Sequence, residues 1–112
     1  MRILFDQGTP VPLCHSLPDH DISTASDRGW HLLQNGELLA AAEAEGFAAI
    51  ITTDQSLRYQ QNLSSRRLAV VVLMTTDWRR IKQHTDRVVE ALAALTPGAY
   101  VELVFPPTRL TS

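Results

Sequence analysis

The feature that most constrains the fold is a helix followed at once by a buried strand, between Asn35 and Asp54. Residues 36–45 are rich in strong helix formers, Asn35 in front of them is a candidate N-terminal cap, and Gly46 is a natural C-terminal stop. The run 47–52 is mostly apolar and barely alternates, which is typical of a strand covered on both faces. This order of elements predicts an α/β protein with a parallel sheet.

Similar strand-like runs recur along the chain, separated by segments with helical periodicity. Because successive strands joined by helices imply right-handed crossovers, we predict a three-layer α/β/α sandwich with a mostly parallel five-stranded sheet. In the last predicted helix, five residues recur at three- and four-residue steps on one face: Ile81, Thr85, Val88, Leu92 and Leu95. The predicted strands cover residues 1–6, 20–24, 47–52, 68–74 and 100–105, and the predicted helices cover 10–17, 35–45, 55–63 and 77–95.

The composition is that of an ordinary globular domain. With 112 residues, 45% of them apolar and 20% charged, the chain is predicted to form a single domain over residues 1–112. No apolar run approaches the ~20 residues of a membrane span, and no secretory signal precedes the first strand, so we expect a cytoplasmic protein. The lone Cys14 cannot form an internal disulfide, in keeping with a reducing compartment.

Two of the predicted strands lead into aspartates, Asp6 and Asp54. Because the carboxyl ends of parallel strands meet at one edge of a sheet, we expect these carboxylates side by side. Glu37, at the start of the helix predicted over 35–45, is expected to supply or orient a third carboxylate. Such oxygens suit Mg²⁺ or Mn²⁺, which can turn a water into the nucleophile for phosphodiester hydrolysis. Asp6, Glu37 and Asp54 are therefore the candidate catalytic residues and metal ligands, and Asn35 and Asp77 are additional candidates.

A purely structural interpretation competes for two of these acids. Asp54 and Asp77 each precede a predicted helix and could cap it, and for Asp77 the cap is the favoured interpretation. Asp6 is harder to explain in this way, because an aspartate at the end of a central strand is costly to bury without a partner or an ion.

The net charge of -2 restricts how the chain could bind nucleic acid. Proteins that hold RNA through many phosphate contacts usually carry a basic surplus, so any RNA site must be local. Arg58 and Tyr59 are the best candidates, because they follow Asp54 closely and could contact a phosphate and stack on a base. The alternative is that Arg58 pairs with a neighbouring acid and Tyr59 packs in the core.

Three segments taken together carry a more specific signal: MRILFD with Pro10 and Pro12 behind it, NGELLAAAEAEGF from Asn35, and IITTDQSLRY from Ile50. With these segments the chain resembles, over almost its whole length, the short PIN-like domains of bacteria, many of them thought to be toxin components of toxin–antitoxin pairs. The resemblance implies a PIN-type α/β/α sandwich, metal-dependent cleavage of RNA and a small antitoxin protein as partner. A second copy of the chain is a further candidate partner.

Within this resemblance, Asp6 matches the family's first acid and Asp54 its strand-end acid. The position of the family's helix acid falls on Asn35, with Glu37 two residues on, and an acid that larger PIN domains carry on an early helix has no clear counterpart. The alternative function is therefore a catalytically weak or inactive PIN-like module that acts through protein contacts.

Other sites common in α/β proteins do not fit the sequence. Receiver domains resemble one another in an acidic pair after the first strand and a lysine after the fifth, whereas here Gln7 follows Asp6 and two prolines follow Phe105. No glycine-rich phosphate loop follows the first strand, and the four histidines lack the spacing of zinc motifs.

Overall fold

The computed structural model describes residues 1–59 and 66–107. Within these ranges five strands form one sheet in the order β2-β1-β3-β4-β5, and each neighbouring pair is parallel. The predicted parallel five-stranded sheet is confirmed. Its strands are β1 (Arg2–Phe5), β2 (Asp21–Thr24), β3 (Ala49–Thr52), β4 (Ala69–Leu73) and β5 (Tyr100–Leu103).

The helices between the strands are short. The described ranges contain a first 3₁₀ helix (Val11–Ser16), α1 (Asn35–Ala44), a second 3₁₀ helix (Gln55–Tyr59), α2 (Trp78–Lys82) and α3 (Thr85–Ala93). The helix predicted over 55–63 is thus a 3₁₀ helix as far as Tyr59, and residues 60–63 of that prediction lie outside the described residues. None of the helices in the described part of the chain is long and apolar enough to cross a bilayer.

Both faces of the sheet are covered, as a three-layer sandwich requires. On one face, side chains of the first 3₁₀ helix, α2 and α3 pack against strand residues such as Phe5 and Val71. On the other face, α1 and the second 3₁₀ helix pack against residues such as Leu4 and Val70. Because neighbouring residues of one strand are buried on opposite faces, β3 and β4 read as continuous apolar runs.

The connection from β4 to β5 has the opposite hand to the connection from β1 to β2. Both cross the same face of the sheet, the first through α2 and α3 and the second through the first 3₁₀ helix. They run in opposite lateral directions, because β2 and β5 are the two edges of the sheet. The expectation of right-handed crossovers throughout is therefore wrong for one of them.

The N-terminus of α1 differs from the prediction by one residue, and the difference affects the site. Gln34 is the cap, and its N–H donates to Oε1 of Glu37 over 3.3 Å. Asn35 is the first residue inside the helix, so its predicted capping role is wrong and its side chain is available for another contact. Gly46, with φ of +84°, ends the helix as predicted.

The helix predicted over 77–95 is two helices. His84 separates them, because its φ of -138° and ψ of 37° are not helical, and α3 begins at Thr85. A threonine followed by an acid suits a first helical turn better than a helix interior. The predicted apolar face is nevertheless buried on the sheet: Ile81, Val88 and Leu92.

The strand order creates a crevice between β1 and β3. From β1 the chain passes to β2 on one side and then returns to β3 on the other side. Ligands of open parallel sheets bind outside the carboxyl ends of the strands at such a reversal. The register pairs Phe5 with Ile51, so the residues that follow these two positions flank the crevice.

Candidate functional site

Asp6 and Asp54 both lie at the carboxyl edge of the sheet, on neighbouring strands. Asp6 follows the last residue of β1, and Asp54 lies two residues beyond Thr52, the last residue of β3. Both aspartates are half-buried. The expected convergence of the two strand ends is thus present in the fold.

The backbone holds Asp6 in place from several directions. Its N–H donates to the carbonyl of Ile51 over 3.0 Å, which extends the ladder between β1 and β3 by one residue. Its carboxylate Oδ1 accepts the N–H of Gln7 over 2.7 Å. Its carbonyl accepts the N–H of Thr9 over 3.1 Å and closes a tight turn. Asp6 therefore sits on a rigid support, although its side chain is only half-buried.

Gly8 is required in this turn. Its φ of +88° favours glycine, and a Cβ at this position would lie 2.7 Å from Oγ1 of Thr53. The turn after β1 therefore packs directly on the segment after β3. This contact brings the two halves of the crevice together.

Thr52 connects the two acids. Its side chain is fully buried, and its hydroxyl donates to Oδ2 of Asp6 over 2.8 Å. The hydroxyl oxygen of Thr52 also accepts the N–H of Asp54 over 3.0 Å. One hydroxyl thus orients the carboxylate of Asp6 and the backbone of Asp54 at once. A buried hydroxyl is stable here because both of its hydrogen-bonding roles are satisfied.

Ser56 and Asn35 complete the surroundings of Asp54. The carboxylate Oδ1 of Asp54 accepts the N–H of Ser56 over 2.9 Å and its hydroxyl over 2.6 Å. Asn35 in turn donates from Nδ2 to the Ser56 hydroxyl oxygen over 3.3 Å. The Ser56 hydroxyl is the main cause that lowers the pKa of Asp54, partial burial opposes it, and the Ser56 N–H and Asn35 lower it further. Asp54 is therefore held ionised near neutral pH.

These contacts are also those of a residue that organises the chain after a strand. The carbonyl of Asp54 accepts the N–H of Leu57 over 3.3 Å, at the start of the second 3₁₀ helix. The capping interpretation and the catalytic interpretation of Asp54 are thus both compatible with its geometry. A carboxylate has about four acceptor positions, so capping leaves room for a further ligand.

Glu37 is occupied at the beginning of α1. Its side chain is exposed and accepts the N–H of Gln34, which is the reciprocal half of a capping box. It forms no hydrogen bond with Asp6 or Asp54. In this conformation Glu37 stabilises the helix end.

Asp77 has the capping role favoured from the sequence. Its Oδ1 accepts the N–H of Arg79 over 3.0 Å at the N-terminus of α2, and it lies 3.7 Å from Nε of the same arginine. Its N–H donates to the hydroxyl of Thr75 over 3.1 Å. These contacts account for Asp77 without a metal ion.

Arg58 and Tyr59 lie on the β5 side of the second 3₁₀ helix. Nε of Arg58 is 3.4 Å from Oε2 of Glu102, and its guanidinium carbon is 5.6 Å from the centre of the Tyr59 ring. Tyr59 is 79% exposed, so it does not pack in the core. Glu102 also accepts the Tyr100 hydroxyl over 2.8 Å, and burial together with Glu102 raises the pKa of Tyr100 to about 12. The pairing of Arg58 with an acid was the structural alternative, and this conformation shows it.

Thr52 and Ser56 are the residues that sequence reasoning missed. Each is two positions from Asp54: Thr52 is the last residue of the apolar strand β3, and Ser56 lies in the second 3₁₀ helix. A polar residue that ends a fully buried strand is itself a signal, because an unsatisfied hydroxyl there would be costly. Which groups satisfy it depends on the neighbouring strand and is visible only in the fold.

A cleft of about 230 Å³ opens beside Asp6, on the side of β2. Its walls come from the turn after β1 and from the residues that follow β2. Gln7 and Ser26 are the exposed polar side chains among its lining residues. Substrate could therefore approach Asp6 from the β2 side of the crevice.

The donor set suits one hard divalent cation better than a closed metal cage. Among the described residues no group of three His, Cys, Asp or Glu side chains is placed to hold an ion. Magnesium, however, is usually bound by one or two carboxylates and keeps several waters. Oδ2 of Asp54 accepts no hydrogen bond from the described residues, and each oxygen of Asp6 accepts one. Both carboxylates therefore keep acceptor positions for a further ligand.

No protein-family model, curated protein or solved structure matches the chain, so its own residues and geometry carry any functional conclusion.

Proposed function

We propose that the chain is a Mg²⁺- or Mn²⁺-dependent endoribonuclease of PIN-like type, and that it acts in the cytoplasm as the toxin of a toxin–antitoxin pair. The observation that supports the proposal most is the pair of half-buried aspartates at the reversal of the sheet, where the hydroxyl of Thr52 binds the carboxylate of Asp6 and the backbone N–H of Asp54.

Asp6 and Asp54 would hold the ion between β1 and β3. When bound, such an ion supplies an activated water and offsets the negative charge of the phosphate. Thr52 orients the carboxylate of Asp6 and the backbone of Asp54, and Ser56 orients the carboxylate of Asp54 and keeps it ionised. The rigid turn from Asp6 to Thr9 limits how far the first acid can move.

RNA would contact the exposed ring of Tyr59 and reach the acids from the carboxyl edge of the sheet. An unpaired base can stack on an exposed aromatic ring, and such stacking is independent of sequence. Arg58 would have to exchange Glu102 for a phosphate, because the two side chains are paired in this conformation. We therefore expect Tyr59 to contribute more to the affinity for RNA than Arg58 does.

The test is cleavage of single-stranded RNA by the purified chain. We expect slow cleavage with Mn²⁺ or Mg²⁺ and none in excess chelator. Asp6→Asn and Asp54→Asn should each abolish cleavage while the far-UV circular dichroism spectrum is kept. Asp19→Asn is the matched control, because Asp19 is exposed and precedes β2 at the opposite edge of the sheet. Cleavage that survives chelation, or that Asp19→Asn reduces equally, would exclude this mechanism.

A second function, that of a non-catalytic binding module, is favoured by the position of Glu37. This acid is hydrogen-bonded at the N-terminus of α1, and no group of three acids is placed to hold an ion in the described part of the chain. Calorimetric titration with Mn²⁺ separates the two functions. Saturable binding that Asp6→Asn removes supports the nuclease, and the absence of binding supports the module.

The antitoxin proposed as partner should cover the crevice and compete with the ion. An arginine from such a protein would replace the positive charge and form two hydrogen bonds with a carboxylate. Because the two ligands would share Asp6 and Asp54, each must weaken the other by the same factor. Independent binding of Mn²⁺ and of a co-purified partner would place the interface elsewhere.

A further inference from the structure

A second cavity lies at the opposite edge of the sheet, where the strands begin. We call it the basal cavity; its volume is about 320 Å³. The crevice lies at the carboxyl ends of the strands and the basal cavity at their amino ends. A strand of four residues is roughly 13 Å long, and this length separates the two. The walls of the basal cavity are formed by residues that precede β1, β3, β4 and β5, together with Ala69 in β4.

The walls of the basal cavity are mostly apolar. Phe47 and Ala69 are buried there, and Leu95 and Pro97 close the side next to α3. Pockets for small molecules in proteins are typically apolar, with a few polar groups, and have volumes of about 300–1,000 Å³. The basal cavity is at the small end of this range, so a compact ligand with an apolar body would suit it.

Arg67 supplies the one charged side chain among the lining residues. Its backbone is fixed, because its N–H donates to Oε2 of Glu43 over 3.1 Å and its carbonyl accepts the N–H of Gly98 over 2.8 Å. Its guanidinium takes part in no ion pair within residues 1–59 and 66–107. Residues 60–65 and 108–112 contain no acidic side chain that could pair with it.

We propose that the basal cavity binds a small monocarboxylate with an aliphatic tail, with the tail against Phe47 and Leu95 and the carboxylate on Arg67. A single guanidinium matches a single carboxylate through two parallel hydrogen bonds. A phosphate monoester carries more charge and would call for a second free cation; the N-terminal ammonium of Met1 is instead hydrogen-bonded to Nδ1 of His20 over 3.2 Å. This site is independent of the proposed nuclease activity.

The test is a titration of the ¹⁵N-labelled chain with octanoate, followed by two-dimensional NMR. We expect saturable shifts of the amides of Ala48, Ala69 and Thr96, with the amides of Asp6 and Asp54 unchanged. The neutral analogue 1-octanol should bind more weakly. Unsaturable shifts, or shifts spread over the whole chain, would overturn the proposal.

Two variants test the assigned contacts. Arg67→Gln keeps a polar side chain without the charge and should weaken octanoate binding about tenfold, since hydrogen bonds to charged groups are the stronger kind. Ala48→Leu should obstruct the cavity, whereas Ala40→Leu, on the exposed face of α1, is the matched control and should bind as the wild type does. Equal octanoate binding by the wild type and Arg67→Gln would refute the role of the guanidinium.

Discussion

Thr52→Val is the substitution that tests the candidate site most directly. Valine has the shape of threonine and suits a buried strand equally well, so the change removes the hydroxyl with little effect on packing. It eliminates the hydrogen bond to Oδ2 of Asp6 and leaves the N–H of Asp54 without its acceptor. The connection between the two acids is thereby broken while the strand is kept.

The expected loss of stability follows from these two bonds. A hydrogen bond to a charged group contributes about 1.5–3 kcal/mol and a neutral one about 0.5–1.5 kcal/mol. Burial of an additional methyl group offsets about 0.8 kcal/mol, and water can reach the half-buried Asp6 in part. We therefore expect a net loss of about 2 kcal/mol, which lowers the melting temperature by about 8 °C for a domain of this size.

The assay is urea unfolding followed by circular dichroism, together with calorimetric titration of Mn²⁺. Thr76→Val is the control for the loss of a hydroxyl, because Thr76 is exposed and its hydroxyl forms no hydrogen bond with the residues that the structure describes. Thr52→Ser keeps the hydroxyl and loses a methyl group, so it should lose stability and still bind Mn²⁺ as the wild type does. If Thr52→Val and Thr76→Val differ by less than about 0.5 kcal/mol, the usual range for neutral surface changes, the bridging role is refuted.

Two further predictions concern pH and backbone conformation. Because the pKa of Asp54 lies below its ordinary value of 3.8, its contribution to stability is present above that value and is lost as the pH falls through the lower folded-state pKa. Ser56→Ala should raise the pKa of Asp54, measured by NMR titration, and reduce the unfolding free energy at pH 7 by about 0.5–1 kcal/mol, whereas an unchanged pKa would contradict the assigned cause. Gly98→Ala should lower the unfolding free energy in urea by more than about 3 kcal/mol, because φ is +76° and a Cβ would lie 2.6 Å from the carbonyl oxygen of Arg66. Gly29→Ala is the control: φ is +75° but no atom lies near the added Cβ, so the loss should be only about 1–2 kcal/mol. Equal losses in the two variants would show that the clash at Gly98 is relieved.

Local patterns in the sequence were sufficient to predict the sandwich and the five strands. β3 and β4 are short runs of apolar residues, and such runs can be stable only if both faces of the sheet are covered. Gly46 ends α1 because a positive φ favours glycine, whatever the neighbouring elements are. The position of Asp6 and Asp54 at one edge of the sheet follows equally from the parallel arrangement of β1 and β3.

Contacts between segments distant in sequence were decided only by the tertiary structure. The hydroxyl of Thr52 binds Asp6, 46 positions away, because β1 and β3 are neighbours in a particular register. Asn35 contacts Ser56 because Gln34, and not Asn35, caps α1. Arg58 forms an ion pair because β5 places Glu102 beside it. Periodicity reports which face of an element is apolar, but the partner of a polar side chain depends on strand order and register, which arise from packing of the whole chain.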